Sequence, residues 1–455
     1  YTTLFRSNAA PVYGGFTGVQ VCSAALNVPV SSSFGTSIPA AVQAALGGTT
    51  ASPTSETNVI DPNFEIPSVW KANVSLRWDL LDNLRAGLDL FGFQDQEGLA
   101  FRDIRAQQLV VNGNQALTPD GRIRYDGLST AQHALPGLTV TSSNPGSNRD
   151  IEAYNPGESP FSWIASLSLN ANWENGVEAG VSYTRQDVTE YSASARFSST
   201  ASSLYGGQWA SYDPNTAVEG RGQEEITDSF KYNFGWRHNF VDELETRFTL
   251  FGEWRTGRPL SFTMNGGTGR NSVFGVNRGS QLAYVPDLSD LSAVNCATGV
   301  SSVSFTGCIA SDPLVVFDAA STITNLQGMI DRFDIPTGGI VARGSTDNPD
   351  IHRLDLQISQ QLPGLRNGHR TMLTFDIANV LNLLNDEWGV VREYGENLNL
   401  YNVACAGVDG VADNDGTVTC DRYRISGAAN QATITPGRNT EASRWAIQVG
   451  LRYEF

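Results

Sequence analysis

The sequence predicts an all-β protein, and more narrowly part of a membrane β-barrel with about nine long antiparallel up-and-down strands and long external loops. Apolar and polar residues alternate over long stretches, and a repeat of two residues is the period of a β-strand. Aromatic residues stand near both ends of the apolar runs, as they do at the two faces of a bilayer. The composition agrees, because 45 glycines and 10% aromatic residues accompany only 17% charged residues.

The alternation is clearest in four stretches, where polar residues separate large apolar ones. The apolar positions are Trp70, Ala72, Val74, Leu76 and Trp78; Phe161, Trp163, Ala165, Leu167, Leu169, Ala171 and Trp173; Phe230, Tyr232, Phe234 and Trp236; and Trp445, Ile447, Val449, Leu451, Tyr453 and Phe455. We expect these side chains on the lipid side of the sheet. The opposite, inward side should carry Lys71, Arg77, Arg85, Lys231, Arg237, Arg247, Arg353 and Arg444 with Asp89, Glu178, Glu245, Asp355 and Asp376.

The length of these stretches favours membrane strands. Strands of soluble proteins average about five or six residues, whereas a tilted strand needs about nine to eleven residues to cross a bilayer. A soluble β-sandwich with one dry face per sheet would explain the alternation, but it explains neither this length nor the paired aromatic residues. No run of about 18 apolar residues is present, which excludes a transmembrane helix.

Short turns alternate with much longer connections along the chain. Outer-membrane barrels keep short turns in the periplasm and long loops outside. The long segments, near 104–158, 194–225, 262–350 and 395–442, are therefore expected outside, as loops without packed cores. The predicted strands are 66–79, 84–103, 159–173, 177–193, 226–238, 245–261, 351–362, 369–394 and 443–455.

An odd number of strands predicts that the barrel is incomplete in this chain. Barrels of this kind close with an even number of strands, so at least one further strand is expected upstream. We assign 1–65 to an external loop segment and 66–455 to the C-terminal part of the barrel, without a plug domain or earlier strands.

Charge and cysteines restrict the partners and the compartment. The net charge of −17 disfavours nucleic acid as a partner. The five cysteines fall in external segments rich in small and polar residues, which predicts disulfides Cys296–Cys308 and Cys405–Cys420 in an oxidising compartment, with the partner of Cys22 expected upstream. The alternative is a set of reduced, buried thiols.

Two candidate binding sites lie in the external segments. Asp409, Asp413, Asp415 and Asp421 supply oxygen ligands that suit calcium, but the match to an EF-hand is poor and an acidic solvated loop tied by a disulfide is the simpler explanation. Arg258, Arg270 and Arg278 flank or lie in a Gly- and Asn-rich segment at 264–280, expected to be a mobile loop that could meet an anionic ligand. The four histidines form no catalytic pattern, so we expect no enzyme, and we expect no cofactor unless the acidic loop binds calcium.

Several motifs resemble the C-terminal half of TonB-dependent outer-membrane receptors, in particular the Oar-like group. The final residues Arg452-Tyr453-Glu454-Phe455 are similar to the terminal signal read by the barrel-assembly machinery, with Tyr453 and Phe455 as its aromatic residues. The other motifs are Gly252-Glu253-Trp254-Arg255-Thr256-Gly257-Arg258-Pro259, Leu282-Ala283-Tyr284-Val285-Pro286, Arg353 to Pro363, Phe375-Asp376-Ile377-Ala378-Asn379-Val380-Leu381-Asn382-Leu383-Leu384-Asn385 and Trp388-Gly389.

The resemblance implies a 22-stranded barrel in the outer membrane of a Gram-negative bacterium. It also implies an N-terminal plug and a segment that contacts the TonB complex. The implied function is energy-coupled uptake of a large, scarce solute. A passive channel or surface-binding barrel without energy coupling is the alternative, and an enzyme is a remote third.

Overall fold

The computed structural model describes residues 57–104, 106–111, 114–126, 150–191, 205, 210–217, 219–267, 272–276, 280–288, 308–309, 312–366, 368–406 and 420–455. It is mostly β, with 54% in strands and 8% in helices, which confirms the all-β prediction. The helices are α1 (Ala320–Phe333), α2 (Val380–Leu384) and α3 (Thr440–Ser443).

The strands are β1 (Thr57–Ile60), β2 (Val69–Leu81), β3 (Leu84–Asp95), β4 (Ala100–Asp103), β5 (Gln107–Gln108), β6 (Val110–Val111), β7 (Asn114–Gln115), β8 (Tyr125–Asp126), β9 (Asp150–Tyr154), β10 (Phe161–Asn172), β11 (Val177–Asp187), β12 (Thr189–Tyr191), β13 (Glu219–Arg221), β14 (Asp228–Val241), β15 (Leu244–Arg255), β16 (Pro259–Asn265), β17 (Ser280–Leu282), β18 (Tyr284–Val285), β19 (Cys308–Ile309), β20 (Val315–Phe317), β21 (Gly339–Ile340), β22 (Thr346–Asp347), β23 (Ile351–Pro363), β24 (Arg370–Ala378), β25 (Arg392–Glu393), β26 (Asn397–Ala406), β27 (Arg422–Ser426), β28 (Gly437–Arg438) and β29 (Ala446–Glu454).

Nine long strands form one antiparallel sheet in the order β2-β3-β10-β11-β14-β15-β23-β24-β29. Each corresponds to a predicted strand, and neighbours in the sheet follow one another among the nine, which confirms the up-and-down order. Strands β2 and β29 are its two edges, and no ladder joins them within the described ranges. The sheet is therefore open as described.

The predicted strands are too long at their loop ends. The predicted strand 369–394 ends at Ala378, because Asn379 takes a left-handed conformation with φ of 53° and α2 follows. The predicted strand 245–261 ends at Arg255, and Pro259 begins β16 in a different sheet. At Gly257, between the two, the backbone passes so close to Asn348 that a Cβ would lie 2.2 Å from its carbonyl oxygen. These local backbone features end the strands where alternation alone does not.

The long connections fold into a second unit, which we call the cap. Its main sheet has the order β17-β16-β26-β27-β20-β19, with β22 paired to β16, and α1 contacts β20 and β26. A hydrophobic core fills it, and its fully buried members include Leu260, Met264, Phe317, Leu326, Met329, Leu400, Tyr401, Tyr423 and Ile425. The expectation of loops without packed cores is wrong for this part of the chain.

The segment 264–280 shows why that expectation fails. We predicted a mobile external loop from its Gly and Asn content, but its described residues 272–276 are buried, with Val273, Phe274 and Val276 in the core of the cap. A few apolar side chains separated by small residues are enough to join a core when neighbouring segments supply the rest.

A buried ion pair connects distant segments of the cap. The Arg122 guanidinium lies 2.6 Å from Asp120 and donates a hydrogen bond to the Leu282 carbonyl oxygen. Tyr423 donates its phenolic proton to the same Asp120. Burial raises the pKa of Tyr423, so it remains a neutral donor. A buried charge needs such partners, and Arg122 thereby joins residues about 160 and 300 positions away.

Candidate functional site: the two faces of the nine-stranded sheet

The cross-strand register sorts the side chains of the nine-stranded sheet into two faces. On one, which we call the apolar face, a single row crosses seven strands through Leu76, Leu88, Leu167, Tyr183, Phe230, Trp254 and His352. On the other, the polar face, a neighbouring row passes through Arg77, Gly87, Ser168, Ser182, Lys231, Glu253 and Arg353. The two-faced sheet predicted from alternation is present.

The predicted tryptophans and cations separate as expected. Trp70, Trp163, Trp236 and Tyr453 share the apolar face, and Lys71, Arg77, Lys231 and Arg353 share the polar face. Trp173, Arg444 and Trp445 lie just outside the strands, beyond the end of β10 and before the start of β29.

The apolar face is exposed along its whole width. At one edge Trp70 is 73% exposed, and at the other Leu451 is 71% exposed. Leu90, Leu167, Val181 and Phe234 between them are exposed as well. Soluble monomers rarely expose a contiguous apolar patch larger than a few hundred Å². This face therefore needs an apolar partner.

Charge on the apolar face is confined to its loop end. Arg185 and Asp228 form an ion pair of 3.0 Å there, and Asp187 is nearby on the same strand as Arg185. From there to the turn end, the central strands present mainly aliphatic and aromatic side chains and no Asp, Glu, Lys or Arg. Trp78, Trp173, Trp236 and Phe240 mark the turn end, where Trp236 stacks on Phe248 with ring centroids 5.9 Å apart. An apolar band between two aromatic borders is the pattern of a bilayer-facing surface.

A glycine accommodates one large ring within this band. Tyr232 lies over its cross-strand partner Gly252, so closely that a Cβ there would stand 2.0 Å from the ring. The Tyr232 hydroxyl reaches Nε2 of His352 at 3.1 Å on the next strand. One aromatic side chain thus connects three strands, and position 252 must lack a side chain.

The polar face carries a network of ion pairs and hydrogen bonds. Arg77 and Ser75 both donate to Asp89, with Arg77 Nη2 2.8 Å from the carboxylate. The other pairs are Arg85–Asp79 at 2.7 Å, Lys231–Glu253 at 3.5 Å and Arg353–Asp355 at 3.1 Å. Each is partly exposed, so each contributes little stability by itself. Together they form a hydrated, charged wall.

A cleft of this charged wall lies near the turns. It has a volume of about 690 Å³, and its polar lining includes Asp79, Arg85, Asn170, Glu178 and Arg237. Arg237 stands directly opposite Arg247, which pairs with Glu178 instead. No ion pair to Arg237 is found among the described residues. Arg237 is thus a cation beside the like charge of Arg247 at the rim of the cleft, where it can bind a polar or acidic partner.

The predicted external sites are only partly described. Arg258 is half-buried and lies 3.2 Å from the exposed Glu224, while Arg270 and Arg278 lie outside the described residues. Asp409, Asp413 and Asp415 also lie outside them, and Asp421 precedes β27. Within the described ranges no three His, Cys, Asp or Glu side chains converge as metal ligands. The calcium and anion sites stay predictions.

One predicted disulfide is present. Cys405 and Cys420 are bonded, with Cα atoms 4.8 Å apart, and the bond closes an acidic loop between β26 and β27 of the cap. Cys22 and Cys296 lie outside the described residues, so the second pair and the upstream partner of Cys22 stay predictions.

The two residues of the predicted assembly signal, Tyr453 and Phe455, lie at the edge strand β29 or directly after it. Tyr453 is on the apolar face beside Thr371, and its hydroxyl is 2.7 Å from Nδ1 of His369. Phe455 follows the strand and is 97% exposed. Both are available to a partner at the turn end of the sheet.

The Asn-rich motif has a structural role that sequence reasoning did not assign. Buried Asn379 donates its side-chain amide to the carbonyl oxygens of Gly389 and Ser443, and its backbone N–H donates to Asp355 of β23. Asn382 donates to the carbonyl oxygens of Asp386 and Trp388. Asn379 adopts the left-handed conformation directly before α2, and Asn is a residue type that tolerates this conformation. The Asn itself is therefore the sequence signal.

Comparisons with known proteins identify no relative. No family model, no curated protein and no solved structure matches the chain. Within the described residues, no helix combines the length and the apolar character needed to cross a membrane.

Proposed function

We propose that this chain is the C-terminal part of the barrel of a TonB-dependent outer-membrane receptor of the Oar-like group. Its function would be energy-coupled uptake of a large, scarce solute across the outer membrane of a Gram-negative bacterium. The observation that carries the proposal is the nine-stranded sheet itself, with an apolar face that is exposed from edge to edge and bounded by aromatic residues, and a charged opposite face.

Lipid is the occupant that fits the apolar face. The face has long strands and mid-strand positions occupied by residues such as Leu167, Leu250, Leu356 and Val449. In hydrocarbon, backbone groups must be paired within the sheet, and strands achieve this only when each has neighbours on both sides. The open edges at β2 and β29 would therefore pair with further strands of a larger barrel.

Water or a polar plug fits the polar face. A wall of Arg, Lys, Asp and Glu cannot lie against lipid, so it would line the interior of the barrel. The cleft near the turns, with Arg237 at its rim, would face the periplasmic half of that interior. A plug could bind there through ion pairs and hydrogen bonds.

Two features support the proposed location in the outer membrane. The disulfide Cys405–Cys420 suits an oxidising environment. The exposed Phe455 at the end of the last strand would be accessible to the barrel-assembly machinery. With the long connections outside, the cap would stand on the cell surface and be the first part to meet a solute.

A passive channel is the second candidate, favoured by one observation. Much of the charge on the polar face is already neutralised by ion pairs within that face, as in Arg77–Asp89 and Lys231–Glu253. These charges therefore need no plug to pair with.

The test uses the full protein encoded by the gene, reconstituted in a planar bilayer. A plugged, energy-coupled transporter should give no steady conductance, and uptake by cells should stop when a protonophore removes the proton gradient. A steady open conductance, together with uptake that ignores the protonophore, would support the passive channel and overturn the transporter.

A further inference from the structure

A small cavity lies where the hairpin β12–β13 meets the cap. Its lining includes Glu190, Arg221 and Gln223 from the hairpin side and Ser261, Arg343 and Asn397 from the cap side. Its volume is about 10 Å³, close to the minimum that one water molecule occupies.

Direct bonds already cross this junction. Arg221 donates to Asp347 at 2.7 Å and to the Gly344 carbonyl oxygen at 2.9 Å, and it also pairs with Glu225. Arg343 donates to the carbonyl oxygen of Glu190. The two sides are therefore held together around the cavity, which keeps its walls in place.

Four polar atoms at the cavity have no hydrogen-bond partner among the described residues. They are Nε2 and Oε1 of Gln223, Nε of Arg343 and Oδ1 of Asn397. Gln223 is only 8% exposed, so bulk solvent does not satisfy its amide. Buried polar groups in proteins are nearly always paired with protein or with ordered water.

We propose that a bound water molecule occupies this cavity and bridges Gln223, Arg343 and Asn397. The unsatisfied atoms include donors on Gln223 and Arg343 and acceptors on Gln223 and Asn397. Only a ligand that both donates and accepts can satisfy them, and water does so in a space of this size.

Ions fit the same atoms less well. An anion would leave the amide oxygens of Gln223 and Asn397 unsatisfied and would approach the Glu190 carboxylate. A cation would face the guanidinium groups of Arg221 and Arg343. Burial lowers the pKa of Arg343 to about 10, which agrees with a guanidinium that has lost solvent.

The bound water joins three segments that are far apart in the chain. Gln223 follows β13, Arg343 lies between β21 and β22, and Asn397 begins β26. The water thus completes the contact between the strand pair β12–β13 and the cap. This inference does not depend on the transport function.

The test is a structure of the full chain at a resolution that shows ordered water. We expect one density peak within hydrogen-bond distance of Gln223, Arg343 and Asn397. In Gln223→Met, which removes two of its partners and fills the space, the peak should be absent. In Gln431→Met, at an exposed position of the cap, it should remain.

Soaking with bromide separates water from an anion. An anomalous peak in the cavity would overturn the proposal, because it would identify an anion site. A cavity filled by a protein side chain in the wild-type chain, or a peak that persists in Gln223→Met, would overturn it as well. Magnetisation transfer from water to the Arg343 Nε–H in bilayers gives a second readout, expected in the wild type and lost in Gln223→Met.

Discussion

The nine-stranded sheet and the cap differ in where their apolar side chains lie. In the cap, Phe317 and Leu326 are fully buried among other side chains of the same chain. In the nine-stranded sheet, Leu167, Val449 and Leu451 stand exposed on the apolar face. The cap therefore contains its own core, whereas the sheet needs an apolar environment that the described residues do not supply.

The difference separates two sources of stability. Truncating a core residue leaves a cavity that surrounding atoms fill poorly, so the loss exceeds the transfer free energy of the missing atoms. Truncating a residue that faces fluid lipid leaves no cavity. Substitutions matched between the two regions can thus show which residues face protein and which face lipid.

The largest effect is expected for Phe317→Ala in the cap. Removal of this buried ring should lower the free energy of unfolding of the cap by about 3–5 kcal/mol. Denaturant titration of the full chain in detergent, followed by proteolysis of the cap, measures it. Phe234→Ala, on the apolar face, is the matched control and should cost clearly less. Equal losses would contradict the contrast between the regions.

A charge on the apolar face should have the next largest effect. Leu167 lies mid-strand between Trp163 and Trp173, and Leu167→Arg should destabilise the protein in lipid by about 2–4 kcal/mol. Thr249→Lys, mid-strand on the polar face, is the control and should fold normally. Folding titrations in lipid vesicles measure both, and a neutral Leu167→Arg would count against lipid at this face.

Loss of the disulfide should destabilise the cap alone. The double change Cys405→Ser and Cys420→Ser opens a loop with a sequence separation of 15. The chain-entropy model gives a loss of about 3 kcal/mol for a loop of this size. Proteolysis should detect a weakened cap, while the nine-stranded sheet resists heat and detergent as before. Weakening of the sheet would show that the two regions are not independent.

The smallest effect is expected for Gly252→Ala. The added Cβ collides with the Tyr232 ring, and overpacking of this kind costs about 1–3 kcal/mol. Gly339→Ala, where nothing lies within 4 Å, should be neutral. Combining Gly252→Ala with Tyr232→Ser should recover part of the loss, as measured by thermal unfolding in detergent. If the double variant recovers no stability, the contact with the Tyr232 ring is not the cause of the loss.

Much of the nine-stranded sheet could be predicted because each strand carries its own signal. The alternation at Trp70–Trp78 or Phe161–Trp173 can be recognised from residues only two positions apart. The order of the strands follows from the short turns between them. The register then placed Arg85, Asp89 and Glu178 on the predicted polar face.

The cap was missed because its signal is not local. Most of its strands are short, and two of its pairings, β16–β26 and β20–β27, are parallel and join segments more than a hundred residues apart. Apolar groups such as Val315-Val316-Phe317 look like isolated hydrophobic residues in a long loop until their partners are known. The contacts of Asn379 with Asp355 and Ser443, and those of Arg122 with Leu282 and Tyr423, also join separate segments and could not be read from periodicity.

Nitroxide labels at successive positions 163–171 of β10, in the protein reconstituted in bilayers, test the central claim most directly. Oxygen dissolves in lipid and a nickel chelate remains in water, so their collision rates with each label report the environment. Odd-numbered positions, including Leu167, should favour oxygen, and even-numbered positions, including Ser166 and Ser168, should favour the chelate. Uniform access of the chelate to all nine positions, or alternation of the opposite phase, would contradict the assignment of the apolar face to lipid.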